Sequence, residues 1–157
     1  MEIYLLRHGI AEEHVSGQPD EERALTAEGR AKLKRVLKRA RAAGVRPALI
    51  LTSPLVRAVE TADVAQTVLG GRIGKTGALR PDSTPQAVWQ EIRRHKAEPA
   101  ILLVGHEPLL GEVFGYLLGA GRGMVDLKKG ALGRIDVERL SGEPRGVLCW
   151  LLTAKIA

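Results

Sequence analysis

The sequence predicts an α/β protein built as a three-layer αβα sandwich, with a mostly parallel central sheet and antiparallel edge strands. Three short, continuously apolar runs are typical of parallel strands covered on both faces, and segments with helical spacing lie between and after them. The chain then ends in two further apolar runs separated by a short turn. Parallel strands need long crossovers, whereas a short turn joins antiparallel ones, so this order favours a parallel sheet with an antiparallel edge.

Five apolar runs are predicted to form the main strands of this sheet: 3–6, 48–51, 100–104, 131–137 and 147–152. The stretch 10–24 after the first strand is acidic, contains glycine and proline and has no sustained periodicity. We expect it to form a loop. Residues 70–79 hold turn residues and a weaker strand, and 119–123 form a glycine-rich connection.

Four segments with helical spacing are predicted between and after these strands: 26–44, 53–70, 84–92 and 108–118. The first three begin at a serine or threonine, and Pro108 begins the fourth. Thr26 is the expected N-cap of the first helix, and Gly44 ends it. In the second helix, Ser53 is the expected N-cap and Pro54 the first helical residue.

Length and composition predict a single globular domain over residues 1–157. No apolar run approaches the length of a bilayer span, and residues after Met1 lack the pattern of an export signal, so we expect a cytoplasmic protein. Cys149 lies in an apolar stretch and is predicted to be a small buried hydrophobic residue.

The net charge of +6 raises the question of an acidic partner, including nucleic acid. Aromatic residues make up only 3% of the chain, which leaves few platforms for base stacking, so nucleic acid is not the expected partner. The basic side chains from Arg30 to Arg41 are interpreted as the solvated face of the first helix, with a docking surface as the alternative.

Arginine and histidine side chains follow all three predicted parallel strands. Arg7 and His8 come directly after the first strand, Arg57 lies in the first turn of the helix after the second, and His106 follows the third. The carboxyl ends of parallel strands meet at one edge of a sheet, so we expect these four side chains to converge there. Arg57 also breaks a local rule, because the helix dipole disfavours a cation in the first turn, and such exceptions are often functional.

The charge of this predicted cluster favours an anionic ligand. Two guanidinium groups and two imidazoles suit the oxygens of a dianionic phosphoryl group, and they repel a metal ion. We therefore expect no metal at this edge. Each residue taken alone also has a structural interpretation. Arg57 is then an ordinary surface arginine, and His106 is a histidine that makes a structural hydrogen bond beside a helix.

In four short motifs the chain resembles the histidine phosphatase superfamily, also called phosphoglycerate mutase-like. In chain order these motifs are Arg7-His8-Gly9, Leu25-Thr26 with Gly29, Ser53-Pro54 through Arg57 with Thr61-Ala62, and Gly105-His106. The small size of the chain and the segments 104–108 and 129–131 resemble the SixA-type phosphohistidine phosphatase branch.

The resemblance implies that His8 attacks phosphorus and becomes phosphorylated, while Arg7, Arg57 and His106 bind the phosphate oxygens. Gly9 is expected to allow a tight turn after His8. The implied substrate is phosphohistidine in a protein, with a small phosphorylated metabolite as the alternative, and no metal or organic cofactor is needed. A monomer or weak homo-oligomer is expected.

The sequence leaves two points open: the identity of the proton donor and whether the chain is catalytic. The proton donor to the leaving group is Glu107, Asp82 or no residue at all: Glu107 directly follows His106, and Asp82 lies in a predicted turn. A more distant alternative for the whole chain is a non-catalytic module that binds an anion or nucleic acid.

Overall fold

A computed structural model describes residues 1–120 and 125–157 as an α/β fold with one six-stranded sheet between two layers of helices. The strands are β1 Glu2–Arg7, β2 Leu49–Thr52, β3 Arg72–Lys75, β4 Ala100–Gly105, β5 Leu132–Val137 and β6 Gly146–Leu152. Their spatial order is β3-β2-β4-β1-β5-β6. Neighbours from β3 to β1 are parallel, whereas β5 is antiparallel to both β1 and β6, which confirms the predicted fold class.

The four helices are α1 Ala27–Ala42, α2 Val56–Leu69, α3 Pro85–Arg94 and α4 Leu109–Leu117. Short 3-10 turns lie at Asp20–Glu22 and Gly77–Leu79. Helices α1 and α2 cover one face of the sheet, and α3 and α4 cover the other. Side chains of β1 alternate between these layers: Ile3 and Leu5 pack under α3 and α4, and Tyr4 and Leu6 pack under α1 and α2.

The ends of α1 agree with the sequence prediction. The Thr26 hydroxyl accepts a hydrogen bond from the backbone N–H of Gly29, 2.9 Å away, as an N-cap should. A Cβ at Gly29 would lie 2.2 Å from the Ile10 carbonyl oxygen, so only glycine lets the loop after β1 pass this close to the helix. The basic side chains of α1 are exposed or half-exposed on its outer face, as predicted.

The predicted start of α2 is wrong by two residues. Leu55 occupies the N-cap position and Val56 is the first helical residue, so neither Ser53 nor Pro54 has its predicted role. The buried Ser53 hydroxyl lies 2.8 Å from the His106 ring and 3.4 Å from the backbone N–H of Leu55. A long-range contact has therefore replaced the local cap.

Cys149 is exposed, which contradicts its predicted burial. It lies on β6, an edge strand that pairs only with β5 and whose middle residues face solvent. Of the predicted connection 119–123, residues 121–123 lie outside the described ranges. None of the helices in those ranges combines the length and apolar character that a bilayer-crossing helix needs.

Candidate active site

Strand register brings His8 and His106 together at the carboxyl edge of the sheet. Arg7 is aligned with Gly105 in the parallel pair β1–β4, and the His8 backbone N–H donates to the Gly105 carbonyl at 3.0 Å. The residue that follows each of these two strands is a histidine, and the centroids of the two rings are 5.1 Å apart. The Ser53 backbone N–H donates to the Val104 carbonyl at 3.0 Å, which places the end of β2 beside them.

His8 is buried as a neutral imidazole with a defined tautomer. Its Nδ1 lies 2.7 Å from the Gly9 carbonyl oxygen, which can only accept a hydrogen bond, so Nδ1 carries the proton. The unshared electron pair is then on Nε2. Burial, with the nearby charges of Arg57 and Arg7, lowers the pKa of His8 to about 4, so at neutral pH the ring is uncharged and the Nε2 electron pair is available.

Gly9 is closely packed against a side chain of α1 and lacks the positive φ of a turn that only glycine favours. Its φ is outside the left-handed region, but a Cβ at this position would lie 2.6 Å from the Leu33 side chain. The Gly9 N–H donates to the Thr61 hydroxyl at 3.2 Å, and that hydroxyl donates to the Arg57 carbonyl at 2.7 Å. Thr61 thus ties the residue after His8 to the first turn of α2.

Arg57 is buried in the first turn of α2 and is held by the loop that follows β1. Its Nη1 donates to the Asp20 carbonyl at 2.8 Å, and its Nη2 pairs with the Asp20 carboxylate at 3.0 Å. This partner compensates for the unfavourable helix dipole. The sequence predicts this loop but not the contact of Asp20 with Arg57, for which the only signal is the acidic run of residues 20–22.

Arg7 and His106 are oriented by different elements. The Arg7 Nη1 donates to the Leu127 carbonyl at 2.7 Å. The Nε2 of His106 lies 2.8 Å from the Ser53 hydroxyl, a partner that the sequence analysis assigned to helix capping. Burial, followed by the proximity of His8 and Arg57, lowers the pKa of His106 to about 3, so this ring is also neutral at pH 7.

Three buried side-chain nitrogens lack a hydrogen-bond partner, and each belongs to a residue predicted to bind phosphate. They are Nε of Arg7, Nε of Arg57 and Nδ1 of His106; no other buried side-chain nitrogen or oxygen in residues 1–120 and 125–157 is unpaired. Unpaired buried polar groups are costly and rare, and their concentration at one site indicates a ligand that pairs with them. Arginine Nε–H groups can only donate, so the ligand must be rich in acceptors.

The comparison with known families agrees with this chemistry. The model of the histidine phosphatase superfamily (branch 1) matches residues 3–81. An uncharacterized protein from Picosynechococcus sp. is 38% identical over 115 residues, which cover 71% of this chain and 70% of that protein. The chain belongs to the histidine phosphatase superfamily.

Solved structures of this superfamily share the fold over nearly the whole chain. The protein histidine phosphatase SixA, complexed with tungstate, superposes with a TM-score of 0.87 at 21% identity and covers 99% of this chain and 98% of its own. The alpha-ribazole phosphatase from Shigella flexneri has a TM-score of 0.73 at 19% identity, with coverage of 100% and 98%. At these identities the similarity establishes the fold.

The two candidate proton donors lie in different environments. Glu107 is half-buried, and its two carboxylate oxygens accept hydrogen bonds from the backbone N–H groups of Leu127 at 3.0 Å and Gly111 at 3.2 Å. Burial raises the pKa of the Glu107 carboxyl above its usual range. Asp82 has an 80% exposed side chain and an ion pair with Arg80 at 3.4 Å.

Ligands for a metal ion are not grouped in the part of the chain that the structure describes. No three histidine, cysteine, aspartate or glutamate side chains in residues 1–120 and 125–157 are arranged to hold one. The site residues themselves present two guanidinium groups and two neutral imidazoles, a set suited to an oxyanion.

Proposed function

We propose that this chain is a metal-independent phosphatase that works through a phosphohistidine intermediate on His8, with phosphohistidine in a protein as its substrate. The observation that carries the proposal is the set of three unpaired buried nitrogens, on Arg7, Arg57 and His106, around a neutral histidine nucleophile. A phosphoryl group offers three non-bridging oxygens, one for each nitrogen. Such donors stabilise the charge that develops on these oxygens in the transition state.

In the first step, the Nε2 electron pair of His8 attacks phosphorus, and the bond to the leaving group breaks. The Nδ1–H of His8 stays bonded to the Gly9 carbonyl, which fixes the ring and supports the positive charge that forms on it. Arg7, Arg57 and His106 hold the three equatorial oxygens during transfer. A phosphohistidine whose second ring nitrogen carries a proton releases a neutral imidazole, which departs more readily than an alkoxide and demands less of a proton donor.

In the second step, water attacks the phosphoryl group on His8, and the bond from phosphorus to Nε2 breaks with its electron pair returning to Nε2. The attacking water loses a proton to the released phosphate or to solvent, and the imidazole is neutral again. The low pKa of His8 favours this step, because a buried imidazole of low basicity is a good leaving group. The same three donors serve both displacements, so one site performs transfer and hydrolysis.

A second candidate substrate class is a small phosphorylated metabolite. The fold similarity to an alpha-ribazole phosphatase favours it, since that relative covers the whole chain without a larger inserted domain. The higher TM-score of the protein histidine phosphatase SixA, 0.87 against 0.73, favours the protein substrate instead. We propose further that the protein is cytoplasmic, that it is a monomer or a weak homo-oligomer, and that it acts on a phosphorylated partner.

The test is phosphate release from three substrate classes: a phosphohistidine protein, phosphorylated sugars and nucleotides. We expect turnover that persists in EDTA, is fastest with phosphohistidine protein and is abolished in His8→Ala. Full activity of His8→Ala contradicts the nucleophile assignment, and loss of wild-type activity in EDTA contradicts metal independence. Faster turnover of a small phosphate ester than of the phosphohistidine protein shows that the second substrate class is the correct one. If no phosphorylated compound is hydrolysed and nucleic acid binds with a steep salt dependence, the chain is a binding module.

A further inference from the structure

Glu107 is connected to Arg7 through the backbone of a single residue, Leu127. The Glu107 Oε1 accepts the backbone N–H of Leu127 at 3.0 Å, and the carbonyl of the same residue, Leu127, accepts the Arg7 Nη1–H at 2.7 Å. Through its second oxygen, Glu107 accepts the Gly111 N–H at 3.2 Å in the first turn of α4. The carboxylate therefore joins the start of α4 to the segment that holds the Arg7 guanidinium.

Packing around this carboxylate leaves little freedom for it to move. A Cβ at Gly111 would lie 2.8 Å from the Glu107 Oε2 and 2.5 Å from the Val125 carbonyl oxygen, so carboxylate, helix and segment are in close contact. Arg7 is half-buried, and its guanidinium lies on a long flexible stem, so a hydrogen bond to a fixed carbonyl limits the orientations that it can adopt. On Arg7, the Nη1 is anchored by Leu127 while the buried Nε stays unpaired.

We propose that Glu107 is a positioning residue that acts on the phosphoryl group through the backbone of Leu127 and through Arg7, and not as a proton donor. Its carboxylate holds the Leu127 N–H, the carbonyl of the same residue holds the Arg7 guanidinium, and Arg7 Nε–H is thereby aimed at a phosphoryl oxygen. This inference rests on the proposed function, since it takes Arg7 as an oxyanion donor. A carboxylate with both oxygens occupied by N–H donors performs this task in its ionised form.

The test measures binding of tungstate, a phosphate-like oxyanion, so it does not depend on turnover. By analogy with residues that orient a ligand indirectly, Glu107→Ala is expected to weaken tungstate binding by about tenfold or more. Glu107→Gln keeps one carbonyl oxygen for the Leu127 N–H, so its loss is expected to be only about threefold, the effect of one weakened hydrogen bond. Glu112→Gln, a half-buried acid in the first turn of the same helix, is the matched control and should bind like wild type.

A double-mutant cycle shows whether the effect passes through Arg7. In the Arg7→Ala background, Glu107→Ala should weaken tungstate binding no further. An equal loss in both backgrounds, or unchanged binding in Glu107→Ala, overturns the inference while leaving the proposed function intact. Absence of tungstate binding to wild type, or no effect of Arg7→Ala alone, contradicts the phosphate site itself.

Turnover of aryl phosphates that differ in leaving-group pKa separates positioning from proton donation. With Glu107 as a positioning residue, Glu107→Ala lowers kcat/KM by the same factor for 4-nitrophenyl and phenyl phosphate, and Glu107→Gln restores most of it. A general acid instead gives a loss of about a hundredfold or more that is confined to the poor leaving group and equal in Ala and Gln variants. That second pattern overturns the proposal.

Discussion

Lowering the pH from 7.5 to 5 is expected to destabilise this protein through the two histidines that form the site. His8 and His106 are buried as neutral rings with pKa values of about 4 and about 3, against 6.5 for a histidine in water. Between pH 6.5 and 4 the unfolded chain therefore binds protons that the folded protein does not. Stability falls as pH falls through this range, and it is fully regained above pH 6.5.

The loss of stability at pH 5 depends mainly on the pKa of histidine in the unfolded state. A pH of 5 is about 1.5 units below the pKa of a histidine in the unfolded chain. Protonation of that histidine therefore lowers the free energy of unfolding by about 2 kcal/mol for each ring that stays neutral in the folded protein. His8 and His106 together give a loss of about 4 kcal/mol, a large fraction of the stability of a domain of this size. The folded pKa values need only lie below 5 for this result.

Urea unfolding at pH 7.5 and pH 5 measures this loss directly. In His8→Gln the difference between the two pH values should shrink by about 2 kcal/mol, whatever the variant does to stability at pH 7.5. His14→Gln is the matched control, since its side chain is exposed in the folded protein, and it should keep the wild-type difference. An identical pH dependence in wild type and His8→Gln refutes the conclusion that His8 is held neutral.

Three other predictions concern the groups around the phosphate site. Arg57→Ala should lower kcat by about a hundredfold to a thousandfold, as for other lost oxyanion donors, and a loss below tenfold in steady-state assays contradicts its role. Asp20→Asn should tighten tungstate binding by about fivefold, because it removes a repulsion of about 1 kcal/mol beside Arg57; weaker binding in calorimetry contradicts this. Gly29→Ala should destabilise the fold by about 1–2 kcal/mol in urea, since its Cβ meets the Ile10 carbonyl, and an unchanged midpoint refutes the packing argument.

The sequence predicted the sheet edge because local patterns determine it. Apolar runs defined β1, β2 and β4, and the residues directly after them had to meet at one edge, so His8 and His106 could be paired without coordinates. Thr26 was recognised as a cap because the partner of its hydrogen bond, Gly29, is only three residues away in the sequence. These features depend on short stretches of chain.

Features that depend on distant contacts were not predictable in the same way. Ser53 has the pattern of an N-cap, but its hydroxyl contacts His106, 53 residues away. Cys149 lies in an apolar run, but its exposure follows from the edge position of β6 in the strand order. The contacts of Asp20 and Glu107 required knowledge of how loops cross the sheet edge. Sequence pattern thus located the candidate site residues, and tertiary structure decided what orients them.

Trapping the phosphorylated enzyme tests the central claim most directly. Rapid acid-free quenching of wild-type enzyme mixed with substrate, followed by tandem mass spectrometry, should find one phosphoryl group on His8 that is stable to base and labile to acid. The group should be absent from His8→Ala and should accumulate before steady state, as a covalent intermediate does. A phosphoryl group on another residue, or turnover with no phosphorylated enzyme at any time, contradicts the account.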